Sequence, residues 1–347
     1  MKRCYNKVII WGYPLDTHTM GYVHQGWVKA LKNMGYEAYW FHDSDFPKSD
    51  AFEYSRSVFI TEGRCDTNIP LLDSSMYIVH ACINPYKYIK SGCRLVDMRY
   101  HVAHLHESTY DYNLADRPVE PISEKSFTLY EASASPSELN MAFRTEYVEP
   151  YEAIYMFWAT DLLPDEINFE DRFIKPRIPY ETTFFGTISE SNKLQVKRYA
   201  LGCASNGVNL RWNDVWSGPV SSEQMRDIIK YSVIATDVRG DLDPNNSHKR
   251  MGYIPCRIFK NISYGKVGVT NSERIKNLFG EYILYSSDEK ECAEIAFKNK
   301  DNYDYIFKQM KWVKENHTYI NRVQDLLDLV AKKGEFLEKR RPSFPVV

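Results

Sequence analysis

Lys7–Trp11 (KVIIW) is an unbroken apolar run, the pattern of a strand buried on both faces in a parallel sheet. Gly12 ends it and the loop YPLDTHTMGYVHQ follows. Over positions 26–34 the apolar residues Trp27, Val28, Ala30, Leu31 and Met34 recur at helical spacing, and Gly35 supplies a stop. Positions 37–41 (EAYWF) predict a second strand. Strand, helix and strand with short connections imply a right-handed parallel crossover, the start of a doubly wound unit. Further short apolar runs at 57–60, 76–80, 94–98 and 126–130 extend the series, and 151–163 predicts its last strand.

Positions 164–180 are polar and carry three prolines, which places an interdomain linker there. A second series then begins: a strand at 182–185 with Gly186 at its turn, a helix over 193–204, a strand at 208–211 and a helix over 221–231 capped by Ser221 or Ser222. The buried run VIAT at 233–236 leads through the polar loop 237–253 into a short helix. That helix is strongly punctuated. Pro255 suits its first position and Gly265 the residue past its end, while Ile258, Phe259 and Ile262 share one face. A strand at 267–270 follows. From 288 to 333 the chain is charged and helical, with one apolar stripe from Ile306 to Val330. The expected fold is α/β, with two doubly wound Rossmann-like domains over 1–165 and 180–320 and a C-terminal helix and tail over 321–347 packing back across them.

Composition supports two packed units, since 347 residues exceed one ordinary core. A net charge of −2 gives no basic field of the kind that nucleic-acid binding needs. Aromatic residues make up 14% of the chain, which suits a site that stacks rings or sugar faces as well as ordinary packing. Seven cysteines without a C-x-x-C pair indicate reduced thiols and a cytoplasmic setting. The N-terminal apolar run is too short for a signal segment, and no window approaches the 18 apolar residues of an integral membrane span.

The candidate chemistry begins at the short helix. Its N-terminus carries unpaired N–H groups, and Lys249, Arg250 and Arg257 crowd the same place, so an anion such as a diphosphate fits there; a core helix with solvated basic flanks is the other reading. Asp241 and Asp243 read as turn chemistry. His101, His104 and His106 have ligand-like spacing without a fourth ligand or acidic partner, so no metal site is expected.

Three stretches carry a resemblance to the GT-B glycosyltransferases. VIIWGYPLDTHTMGYVHQGWVKALKNMGYEAYWF is similar to their first strand, acceptor-side loop and first helix. SGPVSSEQMRDIIKYSVIATDV is similar to the turn, helix and strand of their donor domain, and YIPCRIFKNISYGKVGVTN to their donor-binding helix and following strand. GTISESNKLQVKR and PCRIFKNISYG also resemble, distantly, the phage enzymes that glucosylate DNA, although the missing basic surplus argues against a DNA acceptor.

The resemblance implies a first domain that holds the acceptor, a saccharide or other glycan hydroxyl, and a second that holds a nucleotide-diphosphate sugar as co-substrate. It implies no cofactor and no metal. On the donor side it points to Gly186 and Thr187 where backbone approaches a phosphate, Lys193 or Lys197 within reach of the same anion, and Arg257 gripping two phosphate oxygens. Ser217 and Gly218 fall where relatives hold the nucleobase, and Tyr253 is placed to stack on a base or sugar. For the catalytic base it points to His24 immediately before the first helix, with His18 and Asp16 in the same loop, and to His101 after a later strand; His80 also follows a strand directly. Lys260 is a departure, because many retaining members carry there a Glu that binds ribose. A nucleotide-sugar epimerase and a non-catalytic sugar-binding protein of the same layout are the other readings. No G-x-G-x-x-G follows Gly12, which sets aside a dinucleotide oxidoreductase.

Overall fold

The computed structural model describes residues 3–80, 82, 84–99, 129–131, 152–156, 158–186, 188, 192–213, 220–238, 254–332 and 334–339. Its first unit is a seven-stranded sheet of β2 (Lys7–Trp11), β3 (Ala38–Phe41), β4 (Ser57–Glu62), β5 (Met76–His80), β6 (Arg94–Arg99), β7 (Leu129–Glu131) and β8 (Glu152–Tyr155). The spatial order is β3-β2-β4-β5-β6-β8-β7, and every pairing is parallel. The winding reverses between β2 and β4, so the crevice beyond the carboxyl ends of these two strands is where a doubly wound sheet takes its ligand. Several strand ends differ from expectation, two of them near the crevice or the linker. β4 runs on to Glu62, and β8 stops at Tyr155, beyond which Thr160 makes only a bridge to Thr318.

Helix α1 spans Thr19–Asn33, so its start lies well before the expected position 26. His18 is its N-cap, with Nδ1 accepting from Met20 N–H at 3.1 Å. Gly21, which read as a loop residue, lies in the helix, and close neighbours require glycine both there and at Gly26: a Cβ on Gly21 would sit 2.6 Å from the Pro14 carbonyl oxygen, and one on Gly26 would fall inside the Tyr319 ring.

The second unit contains β9 (Glu181–Phe185) paired in parallel with β10 (Asn209–Asn213), and β11 (Val269–Thr270) paired in parallel with β12 (Leu284–Tyr285). The expected strand at 233–236 lies between these pairs, yet it is tied only near its ends. Val233 N–H donates to Glu181 at 3.1 Å, Asp237 N–H donates to Val269 at 3.0 Å, and the Thr182 hydroxyl takes the Ile234 carbonyl. After the short α2 (Pro85–Lys90) of the first unit, the helices of the second are α3 (Lys193–Ser205), α4 (Ser222–Lys230), α5 (Cys256–Ser263), α6 (Glu273–Phe279), α7 (Glu289–Asn299) and α8 (Tyr303–Asn316), followed by α9 (Tyr319–Lys332). Ser221 caps α4 in a reciprocal box with Gln224.

The single apolar stripe of the helical region is split between two cores. Ile306, Met310 and Val313 of α8 pack with Phe184, Tyr199, Ile258, Phe259 and Ile262 in the second unit. Tyr319, Val323, Leu326, Leu329 and Val330 of α9 instead join Val8, Ile10, Ile60, Ile78, Trp27 and Leu31 in the first. The chain thus returns to its starting unit, and β1 (Cys4–Tyr5) pairs in parallel with β13 (Phe336–Leu337) to close it. No helix among the described residues is long and apolar enough to cross a membrane.

Candidate functional site

The crevice of the first unit is built where β2, β4 and β5 end. Val8, Ile10, Val58, Ile60, Met76 and Ile78 face α1. Trp11 pairs with Thr61 and Glu62 with His80, so Gly12, Glu62 and His80 form the next row on that same face. A Cβ on Gly12 would fall inside the His24 imidazole, which makes glycine the residue that admits this ring.

His24 is thereby corrected from a loop residue before the helix to the sixth residue of α1, and it is almost fully buried. Its ring meets Trp40 edge-on at 6.1 Å, and burial pushes its pKa down to about 4, the Tyr13 backbone opposing only in part. The residue at the helix start is His18. It is half-buried and stacked on Tyr13 at 4.0 Å, and burial, with the nearby Arg64, lowers its pKa. Because Nδ1 accepts from Met20, the neutral ring carries its proton on Nε2 and presents a donor there. Asp16 is exposed in a left-handed turn (φ 64°) and accepts from the Tyr22 hydroxyl at 3.2 Å. His80 lies edge-on to Trp158 at 5.0 Å.

Glu62 did not stand out in the sequence. Its signal is a carboxylate ending a six-residue strand that is buried throughout. Only 5% of the side chain is exposed, Oε2 has no hydrogen bond among the described residues, and burial pushes its pKa up to about 7, with Arg64 opposing and Asp66 adding to the rise.

Helix α5 forms the facing wall. Pro255 stands one position earlier than expected, as the N-cap with an extended backbone (ψ 154°). Gly265 ends the helix at φ +85°, where a Cβ would also lie 2.5 Å from the Asp171 backbone. Arg257 is engaged inside the protein. Nε donates to Asp237 Oδ1 at 2.9 Å, Nη1 to the Phe185 carbonyl at 2.8 Å and Nη2 to the Val238 carbonyl at 3.2 Å, with the guanidinium 4.4 Å above the Phe184 ring. Asp237 is fully buried and receives Thr270 Oγ1–H as well, at 3.3 Å. Gly186, at φ +150°, leaves room for this arginine, since a Cβ there would be 2.5 Å from Nη1. Arg257, Asp237 and Gly186 thus lock the ends of β9 and the 233–237 segment to α5.

Lys260 points the other way. Its stem is buried and Nζ lies 5.1 Å from the Tyr22 ring of α1, with no hydrogen bond or ion pair among the described residues. Tyr22 in turn donates to the Val220 carbonyl at 2.9 Å, and the Ser222 hydroxyl meets Gln25 at 3.4 Å. The start of α1, the start of α4 and the middle of α5 therefore converge. Lys193 opens α3 as an exposed residue, and Lys197 is exposed one turn on. Thr187, Ser217, Gly218, Tyr253 and His101 lie outside the described residues, as do His104, His106, Asp241 and Asp243. Among the described residues no three His, Cys, Asp or Glu side chains are grouped to hold a metal ion.

Residues 183–328 match a family model described as glycosyl transferase-like, from β9 to within α9. No curated protein matches the chain. Among solved structures, spinosyn forosaminyltransferase SpnP is similar over 94% of this chain and 99% of its own, at 12% identity and a TM-score of 0.42. Residues 183–328 thus match a glycosyl transferase-like model, and they follow a doubly wound parallel unit in the chain.

Proposed function

We propose that the protein is a cytoplasmic, metal-independent glycosyltransferase that moves a sugar from a nucleotide-diphosphate donor to a hydroxyl of a saccharide or glycan acceptor. The observation that carries this reading is the meeting of α5 with α1 across the two units, with the Lys260 ammonium held over Tyr22 and given no counter-charge among the described residues. An ammonium without a counter-charge at that meeting place attracts an anion, and a donor diphosphate is such an anion. Lys260 then takes the place of the ribose-binding Glu by meeting the phosphates instead.

The same reading extends to the rest of the donor wall. Arg257 acts through position, fixing Gly186 and the end of β9 near the phosphates, with Thr187 and Lys193 as further donor-side residues. Ser217, Gly218 and Tyr253 hold the nucleobase and sugar. The acceptor occupies the crevice of the first unit, with His18, His24 and Asp16 as candidate polar groups on that side and His101 a further candidate from the sequence. Seven cysteines outside any disulfide agree with a reducing compartment.

Lys260→Met keeps the apolar stem and removes the charge. It is expected to weaken nucleoside-diphosphate binding by roughly tenfold or more, the scale of one charge-assisted hydrogen bond, while the melting temperature holds or rises. Calorimetric titration with uridine, guanosine, adenosine and thymidine diphosphates checks this. Unchanged affinity for the nucleotide that the wild type binds would remove Lys260 from the donor site.

A further inference from the structure

We infer that Glu62 is the base that takes the proton from the acceptor hydroxyl, in the crevice where the first sheet reverses its winding. This inference rests on the glycosyl-transfer reading. Three observations independent of that reading converge on the residue. First, Glu62 ends β4, beside the Gly12 end of β2, and these are the two strands between which the strand order reverses. Ligands of doubly wound sheets lie beyond that point. Second, Glu62 shares a row and a face with Gly12 and His80, and the His24 ring fills the space over Gly12. One carboxylate is thus flanked by two imidazoles. Third, the side chain is nineteen-twentieths buried and Oε2 has no hydrogen bond among the described residues. A buried carboxylate oxygen left without a donor is expensive in a resting fold and is explained by a ligand hydroxyl that donates to it.

The competing groups fit the task less well. His24 has its pKa held near 4 by burial and is almost wholly enclosed, so its neutral ring draws a proton poorly. His18 spends Nδ1 on the helix cap, so its neutral ring carries the proton on Nε2 and has no nitrogen lone pair left to accept one. Asp16 is exposed to water on an outer turn. Glu62, held near 7 by its surroundings, is balanced where a general base works best. The charged and titratable groups around it are Arg64, Cys65 and Asp66 on its own loop, His24 on α1 and His80 on β5. Arg64 favours the ionised form and Asp66 opposes it.

The step balances as follows. The acceptor O–H bond breaks and its proton passes to a Glu62 carboxylate oxygen. The acceptor oxygen bonds to the anomeric carbon of the sugar, while the bond from that carbon to the phosphate oxygen breaks and its electron pair leaves with the nucleoside diphosphate. No redox partner is needed.

The test uses the full-length protein with the nucleotide-sugar, from a panel of uridine, guanosine, adenosine and thymidine diphosphate sugars, that the wild type consumes, and follows nucleoside-diphosphate release with a monosaccharide panel as acceptors. Glu62→Gln is expected to lower kcat by about 10² to 10⁴-fold with nucleotide affinity unchanged. Wild-type kcat/KM should rise with pH to a plateau through a midpoint near 7, and infrared difference spectroscopy should show a carboxyl band titrating at that midpoint and missing from the variant. That spectral assignment does not depend on turnover, and Glu62→Asp, which keeps the charge, should recover part of kcat if the carboxylate is the base. If Glu62→Gln binds nucleotide and transfers sugar at the wild-type rate and pH profile, the assignment of Glu62 is wrong and the glycosyl-transfer reading stands. If the wild type consumes no nucleotide-sugar, both fall together.

Discussion

Removing everything from Tyr319 onward is expected to abolish cooperative folding of the N-terminal unit, although the deleted residues lie at the far end of the chain. Tyr319, Val323, Leu326, Leu329 and Val330 are all at most 3% exposed and sit in the same core as β2, β4, β5 and α1. Each such side chain contributes about 1.5–3 kcal/mol by burial, and five of them together rival the roughly 5–15 kcal/mol that holds a domain folded. The buried Arg322 deepens the effect, because it donates to the Trp158 carbonyl at 3.1 Å and meets His317 Nδ1 at 2.9 Å, fastening the segment that links the two units. A 1–318 protein should therefore show no cooperative thermal transition for the first unit and should be cut readily within it by protease. Leu326→Ala alone, at about 2–5 kcal/mol, should lower the melting temperature while leaving the fold in place. A 1–318 protein that melted cooperatively in both units would show that α9 is dispensable to the first core.

The second large effect is that of Arg257→Ala, and it is a loss of stability. Read from the sequence, this arginine belongs to the donor and its removal leaves the fold intact. In the structure it neutralises Asp237, which has no solvent exposure, and it supplies donors to Phe185 and Val238. Truncating one partner of a buried ion pair leaves an unpaired charge and costs about 3–5 kcal/mol. Arg257→Lys should recover little, since one ammonium cannot reach the three acceptors that the planar guanidinium meets. The double variant Arg257→Met with Asp237→Leu should be nearer the wild type, because the stranded carboxylate is gone. Urea unfolding of the four proteins decides the matter. Wild-type stability in Arg257→Ala, together with lost nucleotide affinity, would return the residue to direct donor binding.

The sequence was most legible where one physical signal dominated. Continuous apolar runs located β2 and β5 to the residue, because strands covered on both faces tolerate few polar positions. Gly265 and the face formed by Ile258, Phe259 and Ile262 located α5. Misreadings arose where tertiary contact outweighed local preference. Gly21 suggested a loop, but Pro14 approaches α1 there, and Tyr319 approaches it at Gly26, so closely that glycine is what allows the helix to pack. The charged stretch after 288 looked continuous, and only its two cores reveal a helix break between α8 and α9.

The site was less legible than the fold. Arg257 has the residue type and place of a phosphate ligand, and nothing local indicates that Asp237, twenty residues earlier, claims it. Glu62 escaped notice for the converse reason: a lone Glu after an apolar run is ordinary in sequence, and its meaning comes from register with His80 and from the position of β4 beside β2. Both depend on strand order, which one sequence does not display.

The central claim, that this two-unit fold transfers sugar from a nucleotide donor, is tested most directly by combining a thermal-shift screen of nucleotide-sugars with mass spectrometry of the products. One nucleotide-sugar should stabilise the protein, by about 2.7 kcal/mol at a concentration a hundredfold above its Kd. The same compound should be consumed, with its nucleoside diphosphate released faster when a saccharide acceptor is present and with the sugar found on that acceptor. Consumption that yields only an epimer or free sugar at a rate no acceptor changes, or a panel in which no nucleotide-sugar is bound or consumed, would contradict the account.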